Sequence, residues 1–191
     1  MPGKRAKILS TTDVGDLLTF ANCTQNPLRN AVMVLLSAKA GLRAAEIANL
    51  TWDMVVDASG QVSGLIELAD TAAKKCSGRS IPIHPDLVAA LATWRQVAPP
   101  SQYVIASERG GRMRPLSIVV WFNRAFKNIG LNGCSSHSGR RTFITRAARL
   151  VHKAGGSLRD VQLLAGHRSI QTTQGYIDGD SDAQRRLVSL I

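Results

Sequence analysis

The sequence predicts an α+β fold, mainly helical, in one domain that holds a small antiparallel three-stranded sheet. Apolar residues recur at helical spacing up to Leu50 and again after His84. Between Trp52 and Ile83 the period shortens to the alternation of strands. A length of 191 residues suits one well-packed domain and is short for two.

Taken in order, residues 1–10 read as a basic, flexible lead-in with no core residue, carrying Lys4, Arg5 and Lys7. Thr12 or Asp13 can cap a first helix through Phe20. Pro27 suits the first turn of a second helix, in which Ala31, Val34, Leu35 and Ala38 share a face before Gly41 stops it. A short helix follows from Arg43 to Leu50, burying Ile47 and Leu50. Met54–Val56, Val62–Leu68 and Arg79–Ile83 read as the three strands, separated by Asp57–Gly60 and Thr71–Gly78. His84-Pro85-Asp86 opens a helix through Val97, closed by Pro99-Pro100. Tyr103–Ser107 is a short apolar segment, and Glu108–Pro115 is a basic loop. Ser117 can cap a helix through Asn128, and His137 stands at the mouth of another that runs to Leu150. Ser157 caps a short helix ending at Leu164 and Gly166, and a last helical turn holds Tyr176. Residues 11–180 form the expected catalytic domain. The tail, 181–191, carries Leu187, Leu190 and Ile191, which can pack on this molecule or on a neighbour.

Charge narrows the partner. Lys and Arg number 24 against 13 Asp and Glu, a formal net charge of +11. A folded, basic domain without a polybasic block beside an apolar anchor points to nucleic acid rather than to a membrane surface. Three cysteines, Cys23, Cys76 and Cys134, are odd in number and lack ligand spacing, so neither a disulfide framework nor a zinc site is expected. No apolar leader follows the basic start, and the most apolar run, Ala31–Ala38, is too short to span a bilayer. A cytoplasmic location is the default expectation.

The richest stretch runs from His137 to Tyr176. It contains His137-x-x-Arg140, then Leu164-Ala165-Gly166-His167, then a tyrosine nine positions on. A phosphodiester attacked in line gains negative charge on its non-bridging oxygens, and forked guanidiniums match that geometry. Arg43 and Arg140 suit this task, with His167 donating a further bond. Tyr176 must lose its proton as it attacks, which suits a histidine such as His137. No metal and no cofactor enters this chemistry.

Four segments together resemble the tyrosine recombinases, the phage-integrase-like site-specific recombinases. Ala40-Gly41-Leu42-Arg43-Ala44-Ala45-Glu46-Ile47 is similar to the box supplying the first catalytic arginine. Lys74, eight residues before Pro82 in the segment ending Arg79-Ser80-Ile81-Pro82, falls where that family keeps a β-hairpin lysine, with Lys75 as the other register. His137-Ser138-Gly139-Arg140-Arg141-Thr142 resembles the box of the histidine and second arginine. Leu163-Leu164-Ala165-Gly166-His167 and Thr172-Thr173-Gln174-Gly175-Tyr176 resemble the last box. The resemblance covers Leu9 to Tyr176 and implies a catalytic set of Arg43, Lys74, His137, Arg140, His167 and Tyr176, with Tyr176 as nucleophile. It gives Lys74 the role of general acid to the leaving 5′-hydroxyl, and it implies a 3′-phosphotyrosyl intermediate resealed without ATP. Double-stranded DNA and a homo-oligomer on it, a tetramer in the synaptic complex, are the implied partners, in a prokaryotic, phage or mobile-element setting. Lys75, Arg79, Arg109, Arg112, Arg114 and Arg141 are the candidate DNA contacts.

Two departures stand out. Gly139 occupies a position where the family usually has leucine, which weakens the helix start by up to about 1 kcal/mol. The length also leaves no room for the separate N-terminal helical domain usual in the family, so the chain resembles its short, catalytic-domain-only members or a catalytic fragment. A topoisomerase of type IB and a catalytically silent DNA-binding regulator on the same fold are the competing expectations.

Overall fold

The computed structural model describes residues 6–73, 78–176, 185, 188, 189 and 191. Its centre is α2 (Pro27–Lys39), in which Val32, Met33, Val34, Leu35 and Leu36 are consecutive and all buried. A helix apolar on every side belongs inside a protein. Accordingly α1 (Thr11–Asn22), α4 (Pro85–Val97) and α6 (Ser138–Leu150) all pack against it. Each large apolar side chain so buried contributes roughly 1.5–3 kcal/mol.

The last residues of the basic lead-in are built into the fold. Leu9, within the stretch read as a flexible lead-in, is buried, and its N–H donates to Thr142 Oγ1 of α6 at 2.7 Å. Ser10, rather than Thr12 or Asp13, caps α1: its Oγ accepts from Asp13 N at 3.0 Å while Asp13 Oδ2 accepts from Ser10 N at 2.7 Å. That reciprocal capping box satisfies two otherwise orphaned donors.

The sheet has two strands among the described residues, not three. Antiparallel β1 (Leu65–Leu68) and β2 (Arg79–Pro82) pair with Ile66 opposite Ile81 and Leu68 opposite Arg79. Trp52–Met54 instead forms a single 3-10 turn, and Val56 meets Val62 in an isolated bridge. The reason lies at Asp57, whose Oδ1 accepts from Ser59 N (2.9 Å), Ser59 Oγ (2.6 Å) and Gln61 N (3.0 Å). A carboxylate that satisfies its own turn leaves little chain to extend into a ladder.

Helix α3 (Ala44–Asn49) packs on α5 (Pro115–Asn128), which begins at Pro115 rather than after Ser117. Next come α7 (Leu158–Ala165) and α8 (Ile170–Gln174). Tyr176 lies two residues beyond α8 in the turn that continues it, its N–H donating to Thr173 O at 3.0 Å. A second, smaller core of Ile144, Ala148, Val151, Val161 and Ala165 joins α6 to α7, and Tyr176 packs against it. Gly139 is buried where α6 meets α2, and a Cβ there would collide with Ser37 Oγ. The glycine that costs helix propensity therefore lets the two helices approach. No helix among the described residues is long and apolar enough to cross a membrane.

Candidate active site

Glu46, in the first turn of α3, has no exposed side-chain surface. A lone buried carboxylate would be costly, and three guanidiniums answer it. Arg43 Nη1 donates to Glu46 Oε1 at 2.6 Å, and Arg43 N donates to Oε2 at 2.9 Å. Arg79 donates through Nη1 to Oε1 at 3.2 Å and through Nη2 to Oε2 at 3.1 Å, a two-pronged contact. Arg140 Nη1 stands 4.0 Å from Oε2. Burial pushes the Glu46 carboxyl up, but the bonds and charge of Arg79 and Arg43 outweigh it and hold it below the usual carboxylate range.

The end of α7 supplies the acceptors for the other side of these cations. Gly166 is left-handed at φ 61°, and the chain closes with His167 N donating to Gln162 O (3.1 Å) and Gly166 N to Leu163 O (3.0 Å). This Schellman closure leaves the carbonyls of Leu164 and Ala165 at a negative helix end. Arg79 Nε donates to Leu164 O at 2.8 Å, and Arg140 Nη2 to Ala165 O at 2.6 Å. Arg140 Nη1 reaches back to Gly41 O at 2.5 Å. Burial first, then Arg43 and Arg79, lowers the Arg140 pKa to about 10, against the opposing pull of Glu46 and Tyr176. It stays charged at neutral pH.

The same turn delivers His167. Its Nδ1 lies 3.0 Å from Oγ1 of the fully buried Thr173, and its ring stacks on Tyr176 with centroids 5.5 Å apart and planes at 24°. Burial, followed by the charges of Arg140, Arg43 and Arg79, pushes its pKa down to about 4, with Glu46 opposing. His167 is therefore neutral at physiological pH, and a proton there would face three cations. Tyr176 also meets Arg141, whose Cζ lies 5.8 Å from the ring centroid. Arg141, Gln171, Thr172, Gly175 and Tyr176 line a cavity of about 340 Å³.

Three arginines around one carboxylate, against a neutral histidine and a tyrosine, form a site with surplus positive charge and many donors. Such a site is complementary to a phosphodiester. Comparison with known proteins points the same way, because the model of the phage integrase family matches residues 7–182. The chain belongs to the phage integrase family. A similar relative is tyrosine recombinase XerC of Rhizobium meliloti (strain 1021), 31% identical over 158 residues, spanning 80% of this chain and 46% of that protein. The crystal structure of XerA recombinase matches with a TM-score of 0.76 at 24% identity, covering 99% of this chain and 66% of that one. A lambda integrase tetramer bound to a Holliday junction matches with a TM-score of 0.68 at 20% identity, covering 90% and 48%. These likenesses show that the fold is that of tyrosine-recombinase catalytic domains. The chain spans about half the length of the curated relatives it matches.

Of the residues expected to carry chemistry in this integrase-family chain, the structure gathers Arg43, Arg140, His167 and Tyr176. His137 stands exposed at the N-cap of α6, its N–H donating to Ser135 Oγ at 3.3 Å. The histidine whose ring meets the tyrosine is His167. Lys74 and Lys75 lie outside the described residues. Among the candidate DNA contacts, Arg109, Arg112 and Arg114 are exposed and line a cavity of about 560 Å³ with Glu108 and the buried Arg29. Arg112 Nη1 donates to Asn49 Oδ1 at 2.5 Å. Arg79 is not on that surface: its side chain is only 6% exposed and faces Glu46.

Glu46 and Thr173 are the members that reading the sequence missed. A helix-start acid three residues after Arg43 and a buried threonine six residues after His167 are their signals, and both patterns recur wherever helices begin. For Arg79 a signal was present, since alternation along β2 places it on the inward face with the buried Ile81.

Proposed function

We propose that this chain cuts and rejoins DNA strands at specific sites through a covalent 3′-phosphotyrosyl bond. The reading rests on the cationic cluster of Arg43 and Arg140 beside the stacked His167–Tyr176 pair. Arg43 and Arg140 bind the non-bridging oxygens, and the second nitrogen of neutral His167 adds a donor. The Tyr176 oxygen attacks phosphorus as the bond to the 5′-oxygen breaks. The phenolic proton passes to a general base, the role the motif gives to His137 at the exposed mouth of α6, and Lys74, or Lys75 in the alternative register, gives one to the departing 5′-oxygen. Resealing is the reverse, with the linkage energy kept in the phosphotyrosine, so neither metal nor ATP is required.

Duplex DNA is the partner, contacted by Arg109, Arg112 and Arg114. The family fold shared with a DNA-bound lambda integrase tetramer supports a homotetramer on two duplexes. Of the tail's apolar residues Leu187 and Leu190 lie outside the described residues, while Ile191 is exposed, as is Val188, in keeping with docking on the next protomer.

The test uses nicked duplexes with a randomised centre, from which strands joined covalently to protein are recovered after denaturation. Wild type should trap strands and Tyr176→Phe none; no trapped strand with wild type leaves a DNA-binding regulator. Removing residues after Asp180 should abolish recombination while sparing trapping, and unchanged recombination removes the tail from the mechanism.

A further inference from the structure

Arg79 sits outside the residues assigned to chemistry, yet it makes three side-chain hydrogen bonds to the site's framework. Its three donor nitrogens bind Glu46 on α3 and the Leu164 carbonyl at the end of α7, from a position on β2. The guanidinium is wedged beneath the α7 turn, where a Cβ on Gly166 would come within 2.8 Å of Nη1. Glu46 Oε1 also accepts from Arg43, and the next carbonyl along, Ala165 O, accepts from Arg140. One planar group thus spans the two halves of the phosphate site.

We propose that Arg79 is a positioning residue whose forked guanidinium fixes the spacing between Arg43 on one side and the Arg140–His167 pair on the other. It touches no DNA. It sets the geometry in which the two arms meet the non-bridging oxygens as charge builds on them. The proposal rests on the strand-cleavage reading. A fork is required because an ammonium offers its donors from one point and cannot bridge two carboxylate oxygens and a carbonyl in one plane. The groups around His167 are Arg140 from α6, Arg43 at the N-cap of α3, Glu46 from α3, Arg79 from β2, Thr173 from α8 and Tyr176 after it. Removing the Arg79 charge should let His167 take up a proton more readily.

The experiment compares wild type, Arg79→Lys and Arg79→Met in the full chain. Three readouts are the single-turnover rate of covalent trapping on a selected nicked duplex, the Kd for the intact duplex, and the His167 imidazole titration by NMR. Displacing reacting groups by about 1 Å costs on the order of 10²-fold in rate. Arg79→Lys, which keeps a charge against Glu46 and so the fold, should trap about 10²-fold more slowly with its Kd within about threefold of wild type. Arg79→Met should raise the His167 titration midpoint. A rate for Arg79→Lys within about tenfold of wild type, or a fall matched by an equal loss of affinity, overturns the proposal. If wild type traps nothing, the cleavage reading fails by itself, and an unmoved His167 titration in Arg79→Met then overturns the placement of Arg79 as well. Should Arg79→Met not fold, Arg79→Lys alone decides.

Discussion

A proton on His167 would be the fourth positive charge around Glu46, after Arg43, Arg79 and Arg140, and this gives the site a pH signature. The pKa of His167 falls from 6.5 to about 4 on folding, first through burial and then through Arg140. Between those values the unfolded chain binds the extra proton, so stability rises with pH across the window. The contribution is complete above about pH 6.5 and disappears as pH falls toward 4. His167→Asn should therefore flatten the acid side of a Tm-against-pH profile relative to wild type, measured from pH 7 to about pH 4.5. Coincident slopes would refute it, since carboxylates titrate in both proteins. At this scale the sequence was informative about which side chains share one site. Arg43, Arg140, His167 and Tyr176 are named by motif and are found together. It was silent on what holds them, because Glu46 reads as an ordinary helix-start acid and Arg79, although strand alternation turns it inward, reads as one more DNA contact. Their roles depend on the approach of α3, β2 and α7, which no local pattern encodes.

Elements show where local preference and packing disagree. Helices were legible because their apolar faces are long and their ends carry Pro27, Pro85, Ser157 and Gly166. The third strand failed because Met54–Val56 has strand composition, but Asp57 ties it into a tight turn. Gly139 is the sharpest case: it is unfavourable in a helix by about 1 kcal/mol relative to alanine, yet it sits where α6 packs on α2 so tightly that a Cβ would collide with Ser37. Ser37 Oγ fills the space a side chain would take, and it is buried without a hydrogen-bond partner among the described residues. Gly139→Ala should accordingly cost about 1–3 kcal/mol from overpacking despite its better helix propensity. Ser37→Gly in the same chain should recover part of that loss, because the clash is with that hydroxyl. Urea unfolding of the two single variants and the double variant reads the coupling. Additive losses would mean that the two helices do not meet as closely as the packing shows. The helix also bears directly on the site, since Arg140 is the next residue and its two carbonyl acceptors lie on other elements.

Over the whole molecule, the net charge of +11 is distributed between two kinds of place that respond differently to salt. Arg79 and Arg140 are buried and already bonded to Glu46, Leu164, Ala165 and Gly41, so bulk ions screen them little. Arg109, Arg112 and Arg114 are exposed around a shared cavity, and cations of that kind release counterions when they meet phosphates. Duplex binding, followed by fluorescence anisotropy between about 50 and 200 mM salt, should weaken linearly on a log–log plot with a slope of about −0.9 per phosphate neutralised. Replacing Arg109, Arg112 and Arg114 together by glutamine should make that slope shallower by up to about 3 while leaving Tm close to wild type, because none of the three is part of a core. Arg79→Lys should leave the slope unchanged, since that residue makes no phosphate contact. A slope that shifts with Arg79 and not with the exposed loop would exchange their roles, making Arg79 itself a phosphate contact and Glu108–Pro115 an ordinary solvated loop.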